Sequence, residues 1–429
     1  MRGLAMLTLV PLLGTAAEAA NPIRLHPKNP HVFLFRNKPT VLATSGEHYG
    51  AVVNLDFDQR RYLDALKRHG FNLTRTFSGT YVESWGEPWN TLNPPKSRFL
   101  APWARSDQPG YPDGGSKFDL SRWDPAYFSR LRSFVHEAGR RGIVVEMVLF
   151  CTFYGDSEWN LSPLNAQNNV NGVGSVGRTQ VWSDPASLDA QERFVRKIVG
   201  ELRDFDNVYF ELVNEPYFAD APKLGHPWNE RIVRAIRETS PKHLVALNVN
   251  NGSQKVDAVP AGVSILNYHY ASPPDAVAQN YGLNVPIAFD ESGFRGSLPD
   301  PYRREAWEFF LAGGSVYSGL DWTYTVASPV GNDRTADPKL GLTDPAFKAQ
   351  LSVLKRFLDR LPIERMRPVR ALGATFWRSP ARSTLGTERT RRRPSWTSPR
   401  AGTAPSGWIH RPGANIRANG STTREAHVR

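Results

Sequence analysis

The sequence predicts an α/β protein built as a (β/α)8 (TIM) barrel, and two observations carry that expectation. Eight short apolar runs lie between residues 40 and 322, and longer amphipathic segments with helix-type starts separate most of them. Such alternation produces a parallel sheet covered by helices, and eight units between residues 40 and 360 fit a closed barrel with insertions. A doubly wound open sheet is the structural rival.

The apolar runs are, in order, TVLATSG (40–46), FNLTRTF (71–77), IVVEMVLF (143–150) and VYFELVN (208–214). They continue with HLVALNV (243–249), VSILNYH (263–269), VPIAFDE (285–291) and SVYSGLDW (315–322). Helices are predicted over Asp58–His69, Asp124–Arg141, Asp184–Asp204, Asn229–Glu238, Tyr302–Leu311 and Pro345–Leu361. Asp124-Pro125 and Asp184-Pro185 supply a capping carboxylate followed by a residue suited to the first helical position. The connections after the fifth and sixth runs are short and carry weaker helical patterns. A segment ahead of the first run, IRLHPKNPHVFLFRNKP, reads as a hairpin that plugs the barrel floor. Residues 78–123, with Trp85, Trp89, Trp103 and many Pro and Gly residues, are expected to form a long loop over the mouth.

At the N-terminus, an early arginine, an apolar run from Leu4 to Leu13 and a small-x-small site at Ala17–Ala19 have the layout of a secretory signal over residues 1–19. That run is too short to span a bilayer, and the reading implies a secreted or periplasmic protein without membrane association. Cys151 is the only cysteine, so an exported chain has no internal disulfide and is held by its core. The net charge of +12 is concentrated in residues 378–429, which carry +9 and leave +3 for the body. Basicity confined to a tail argues against a nucleic-acid-binding body. Residues 22–362 form the expected catalytic domain, 363–377 start a small C-terminal β domain, and 378–429 form a basic tail. A disordered tail is one reading; the other is a reading-frame shift near Phe376, because one alternative frame with GC-rich codons gives β-sandwich-like segments.

In a barrel, reactive groups sit where strands end at the open mouth. Those positions hold Glu47-His48-Tyr49, Arg75, Asn214-Glu215, Tyr268-His269-Tyr270, Glu291 and Trp322. Two carboxylates from different strands, among His, Tyr, Arg and Trp, suit acid/base or nucleophilic work on a sugar. Two carboxylates converging at one buried rim need a partner or a proton. Pro216 is expected to hold Glu215 extended. Asp290 is expected to alternate away from Glu291 into the helix layer. Glu211 is left without a role, and Cys151 reads as packing. Asn72-Leu73-Thr74 matches a glycosylation acceptor but lies inside a predicted strand. No HExxH, CxxC, P-loop or GxGxxG after a strand is present, so no metal and no cofactor is expected.

FELVNEP, with its glutamate 76 residues before that of AFDESG, resembles the paired signature of clan A of the glycoside hydrolases, closest to family 5 and its cellulase-like members. The resemblance covers about residues 22–362. It implies that Glu215 is the acid/base and Glu291 the nucleophile of a retaining O-glycosyl hydrolase acting on β-linked sugars. It further implies that Asn214 bonds the sugar 2-hydroxyl and that Arg75 keeps the nucleophile ionised. His269 and Tyr270 would contact the reacting pair, with Tyr268 the competing choice, and Trp322 would floor the cleaved sugar. Glu47 and His48 have no clear family counterpart; His48 is expected as a substrate contact. The expected partner is an oligo- or polysaccharide and the expected state a monomer. A non-catalytic carbohydrate-binding barrel is the competing reading, and the presence of both glutamates favours the enzyme.

Overall fold

The computed structural model of the chain describes residues 21–85, 98–218, 221–371 and 374–378. The expected signal segment, Trp89 and the tail beyond Arg378 lie outside these residues. Each of the eight apolar runs forms a strand: β1 (Leu42–Ala43), β2 (Leu73–Phe77), β3 (Val144–Cys151), β4 (Val208–Asn214), β5 (Val245–Asn251), β6 (Ile265–His269), β7 (Ile287–Glu291) and β8 (Val316–Tyr317). They pair in parallel around one sheet, from β2 through β3 to β8 and then to β1.

The seam between β1 and β2 is stitched largely by one side chain. Asn72 accepts from the Ala43 amide at 3.0 Å, and its Nδ2 donates to the Val41 carbonyl at 2.9 Å and to Thr40 Oγ1 at 3.1 Å. The Asn72 backbone amide donates to Ala43 O at 3.3 Å, and the His48 amide donates to Arg75 O at 2.9 Å further up. The asparagine of the acceptor-like tripeptide is thus part of the barrel wall.

The helices are α1 (Gln59–His69), α2 (Pro125–Arg140), α3 (Pro185–Leu202), α4 (Pro227–Thr239), α5 (Asp275–Asn280), α6 (Pro299–Leu311) and α7 (Ala346–Leu358), with a one-turn helix at Asp156–Trp159. Asp58, Asp124 and Asp184 cap their helices by accepting from amides of the first turn, as their positions predict. Gly70 closes α1 in the left-handed conformation at φ +76°, where a side chain would be strained. The weak patterns resolve unequally: β5 connects to β6 without a helix, and the β6 connection carries only the short α5.

Antiparallel strands Arg24–His26, Asn29–Phe35 and Lys38–Thr40 form the expected plug. Ile23, Phe33 and Phe35 pack against Leu42, Leu73, Val144, Tyr209, Ala246, Ile265, Ala288 and Val316, the floor layer of all eight strands. Two residues further along each strand comes a second inward layer: Thr44, Arg75, Glu146, Glu211, Asn248, Asn267, Asp290 and Ser318, every one of them fully buried. Period-two alternation therefore places an apolar plate beneath a polar one.

This layering corrects the expectation for Asp290. The inward face of β7 is set by Ala288, so Asp290 points into the barrel and Phe289 packs outward on Phe309 and Tyr317. Residues 78–123 also depart from the expected mouth loop. They contain an antiparallel hairpin, Trp103–Pro109 with Ser116–Trp123, and Trp103 is buried against Trp123 and Phe194 of α3. Trp103 is core because its ring meets a helix face that needs covering. Strands Arg367–Ala371 and Ala374–Arg378 pair as an antiparallel hairpin. Among the described residues, no helix is long and apolar enough to cross a membrane.

Candidate active site

The hub is Arg75, fully buried at the middle of the polar layer. Its guanidinium donates from Nε to Glu211 Oε2 at 3.0 Å and from Nη2 to Asn214 Oδ1 at 2.5 Å. Nη1 faces Glu291 Oε2 at 3.4 Å and pairs closely with Glu47. Asp290 lies 3.5 Å from Nε. A fully buried guanidinium cannot lose its proton, so it fixes a positive centre that the carboxylates must answer.

Glu215 and Glu291 face each other above it, one from the end of β4 and one from the end of β7. Oxygen atoms of both and a nitrogen of His269 lie within 4.8 Å of one another. Glu215 Oε2 accepts from the Tyr154 hydroxyl at 2.5 Å, and Oε1 accepts from the Tyr217 hydroxyl at 3.0 Å. His269 Nδ1 lies 3.2 Å from Glu215 Oε1 and 3.4 Å from Glu291 Oε2. Tyr270 donates to Glu291 Oε1 at 2.5 Å. Burial by itself would raise the Glu291 pKa, but the His269 charge and hydrogen bond, with Arg75 and Tyr270, outweigh it and hold the carboxyl below its ordinary value. Glu291 is therefore ionised at neutral pH.

The expected extended conformation of Glu215 is not found. Its φ is +51°, a left-handed backbone that turns the chain sharply as it leaves β4. Tyr270 has the same sign of φ, +50°, immediately after β6. Non-glycine residues held there carry strain that the surrounding structure must over-determine, and such strain gathers at functional sites. The kink at Tyr270 brings to Glu291 a side chain that strict alternation after His269 would have sent to the other face.

Between His269 and Tyr268 the structure decides clearly. His269 occupies the inward face after Ile265 and Asn267, while the Tyr268 hydroxyl donates outward to Gln254 O at 2.9 Å. Asn214 faces Arg75 through Oδ1, and its Nδ2 donates to the Tyr154 hydroxyl at 3.0 Å and to Cys151 Sγ at 3.4 Å. Trp322 follows β8, with its indole Nε1 donating to Leu340 O at 3.1 Å; its one polar group thus turns toward the 340–342 segment.

His48 does not join the cluster. Its ring is enclosed by Phe57, Tyr62 and Tyr324 at centroid distances of 5.2, 4.4 and 5.0 Å. Burial, with the charge of Lys348 adding to it, pushes its pKa down to about 3. Glu47 and His48 are consecutive at a rim that admits only one of them, and Arg75 draws in the carboxylate. Burial pushes Glu47 up to about 8 despite that cation, with Glu291 repulsion contributing.

The tyrosines on Glu215 were not singled out from sequence. Tyr217 lies two residues beyond Glu215, and Tyr154 three beyond the end of β3; proximity to a strand end was the signal available for both. Glu211, given no role, lies under Arg75, pushed up to about 7 by burial against the pull of that cation. Glu211, His269 and Asp290 also bring ligand-type atoms within 4.8 Å of one another. In both trios an imidazole nitrogen lies 3.2–3.4 Å from carboxylate oxygens.

A barrel whose cleft holds two apposed carboxyl groups, one kept ionised and both bound by tyrosines, has the equipment of an acid/base and nucleophilic hydrolase. The family model described as Cellulase (glycosyl hydrolase family 5) matches residues 44–281. The chain belongs to glycosyl hydrolase family 5, a family of retaining O-glycosyl hydrolases. Among solved structures it is similar to a Bacteroides vulgatus protein assigned to the glycoside hydrolases, at TM-score 0.58 and 16% identity. That match covers 80% of this chain and spans 62% of the other protein's length. An endo-1,4-β-mannanase from Rhizomucor miehei matches at TM-score 0.53 and 12% identity, over 79% of this chain and 99% of that one. An endo-β-1,4-mannanase from Thermotoga petrophila matches at 0.50 and 14%, over 75% and 77%. At these identities the likeness is one of fold. No curated protein sequence matches the chain.

Proposed function

We propose that the protein hydrolyses β-linked O-glycosides by double displacement, with Glu215 as acid/base and Glu291 as nucleophile. The observation that carries this reading is the apposition of the two carboxyl groups within 4.8 Å through their nearest oxygens. Retaining enzymes hold the pair about 5–5.5 Å apart, whereas inverting enzymes need about 6.5–9.5 Å to admit a water. Glu291, kept ionised beside Arg75 and His269, attacks the anomeric carbon while Glu215 gives its proton to the departing glycosidic oxygen. The glycosyl ester formed on Glu291 removes its charge, and Glu215, now a carboxylate, takes a proton from the attacking water. Tyr270 and Arg75 receive the Glu291 carboxylate when the ester breaks. Asn214 is suited to the sugar 2-hydroxyl and Trp322 to an apolar sugar face.

The substrate is an oligo- or polysaccharide, supported by family membership and by the aromatic and amide groups gathered at the strand ends. The segment at residues 1–19 supports export to a secreted or periplasmic location, and the body charge of +3 favours neither nucleic acid nor a polyanionic substrate. We take the protein to act as a monomer.

A panel of 2-fluoro-glycosides followed by peptide mapping tests the reading. The sugar that labels Glu291 names both mechanism and specificity. A label on another residue, with Glu291→Ala fully active, refutes it.

A further inference from the structure

We propose that Asp290 is a positioning residue for the reaction, holding the His269 ring as a doubly protonated cation between Glu215 and Glu291. The inference rests on the roles proposed for those two glutamates. Asp290 sits one residue before the nucleophile, fully buried on the inward face of β7. Its Oδ2 accepts from Asn267 Nδ2 at 2.5 Å. Its Oδ1 has no aligned hydrogen bond and lies 3.3 Å from His269 Nε2, an ion-pair contact.

The carboxylates on both sides of the ring favour two protons. Nδ1 faces Glu215 at 3.2 Å and Glu291 at 3.4 Å, and Nε2 faces Asp290. A neutral imidazole would aim a lone pair at a buried carboxylate on one side or the other. The fourth neighbour, Asn248, places its Nδ2 2.6 Å from Nε2 and 3.3 Å from Glu211 Oε1, while its Oδ1 is without a partner. Reversing that amide gives Nε2–H an acceptor, and Glu211, raised toward its neutral form by burial, then has a proton to donate to the same oxygen.

The charges around the ring then balance. The neighbours are Glu215, Tyr217, Tyr270, Glu291, Asp290 and Asn248, with Arg75, Glu47, Glu146 and Glu211 beyond them. Arg75 and His269 are the cations, and Asp290 and Glu291 the anions that answer them. Burial drives Glu47, Glu146 and Glu211 upward toward their neutral forms, while Arg75 and His269 hold Asp290 below its ordinary value. Burial would lower the His269 pKa, but Glu291, Asp290 and Glu215 raise it well above the ordinary range. Without Asp290, one cation would lose its counter-ion on the side away from substrate.

The test is nitrogen-15 NMR of the ten histidines, with His269→Gln assigning the His269 signal. At pH 8 the His269 nitrogens are expected to be both protonated in the wild type and not in Asp290→Asn. In that variant the alkaline limb of the kcat/KM profile is expected to fall by about one pH unit or more. Activity at pH 5 is expected to stay within about tenfold, and Asp290→Glu to restore part of the limb. A neutral His269 in the wild type at pH 8 overturns the proposal. So does an Asp290→Asn variant that loses kcat/KM equally at every pH with the limb unmoved, the mark of a purely structural brace for Arg75. If Asp290→Asn does not fold, the wild-type His269 titration decides. The ring's charge state does not depend on where a 2-fluoro-glycoside reacts, so failure of this proposal is distinguishable from failure of the carboxylate assignment.

Discussion

At the residue scale, the proposed chemistry rests on giving two like groups different surroundings. Glu291 is held by Arg75, His269 and Tyr270, while Glu215 is held by two tyrosines and the same nitrogen of that histidine. Loss of a general acid costs about 10²–10⁴ in rate, so Glu215→Gln should lower kcat by that much on a poor leaving group. On a dinitrophenyl glycoside the same variant should lose far less in the first step, because that leaving group needs no proton. Equal losses on both substrates would argue against Glu215 as the acid. Tyr270→Phe removes a hydrogen bond to a charged carboxylate, an interaction of about 1.5–3 kcal/mol. It should lower kcat/KM by roughly ten- to a hundredfold without changing the unfolding midpoint by more than a few degrees. Of these residues, Glu215, Glu291, Asn214, His269 and Tyr270 were legible because each ends or immediately follows an apolar run, and Arg75 because it is a charge inside one. Tyr154 was not, since it enters from a connection whose path no periodicity describes.

At the element scale, the strands act as two-level supports. Their floor positions are apolar and seal on the N-terminal hairpin, and the next inward positions are polar and carry the site. Phe33 is fully buried in that seal, so Phe33→Ala should destabilise the fold by about 3–5 kcal/mol. Urea denaturation would measure this, and an unchanged midpoint would mean that the hairpin is not part of the cooperative unit. Asn72→Ala should cost about 1–3 kcal/mol by leaving the Ala43 amide and the Val41 carbonyl without their partner at the seam. Strand existence was readable from runs of apolar residues. The inward face of β7 was misread because the parity was counted from Glu291, and the pairing of β7 with β6 slips by one residue between Phe289 and Glu291.

At the scale of the whole molecule, the buried charges predict how stability follows pH. Glu47 and Glu211, raised to about 8 and about 7, bind protons more tightly folded than unfolded. Their contribution is full below the unfolded carboxylate pKa and is lost as pH rises through these values. His269, also raised, acts in the same direction, fully contributing below its unfolded pKa and failing as pH climbs through its folded one. Asp290 and Glu291 are lowered and act oppositely, contributing above the unfolded carboxylate pKa and failing as pH falls through their folded values. The thermal midpoint should therefore peak near about pH 5–6 and decline toward pH 9, with Glu211→Gln flattening the alkaline decline. A midpoint that rises steadily from pH 6 to 9 would contradict this balance. Removal of residues 379–429 should leave kcat/KM unchanged, since the site is assembled by residues 47–322.

The order of strands and helices, the pairing of Glu215 with Glu291 and the hairpin beneath the barrel were determined by the sequence itself, because local periodicity and capping chemistry are written in neighbouring residues. The tertiary structure alone decided that Glu47 rather than His48 meets Arg75, that Asp290 turns inward, that Trp103 serves the core, and that Glu215 and Tyr270 are kinked into the cleft. Those outcomes depend on which distant charge or ring fills the space opposite. A buried guanidinium contributed by β2 selects its partners from three other strands or their connections, a choice no single stretch of chain contains.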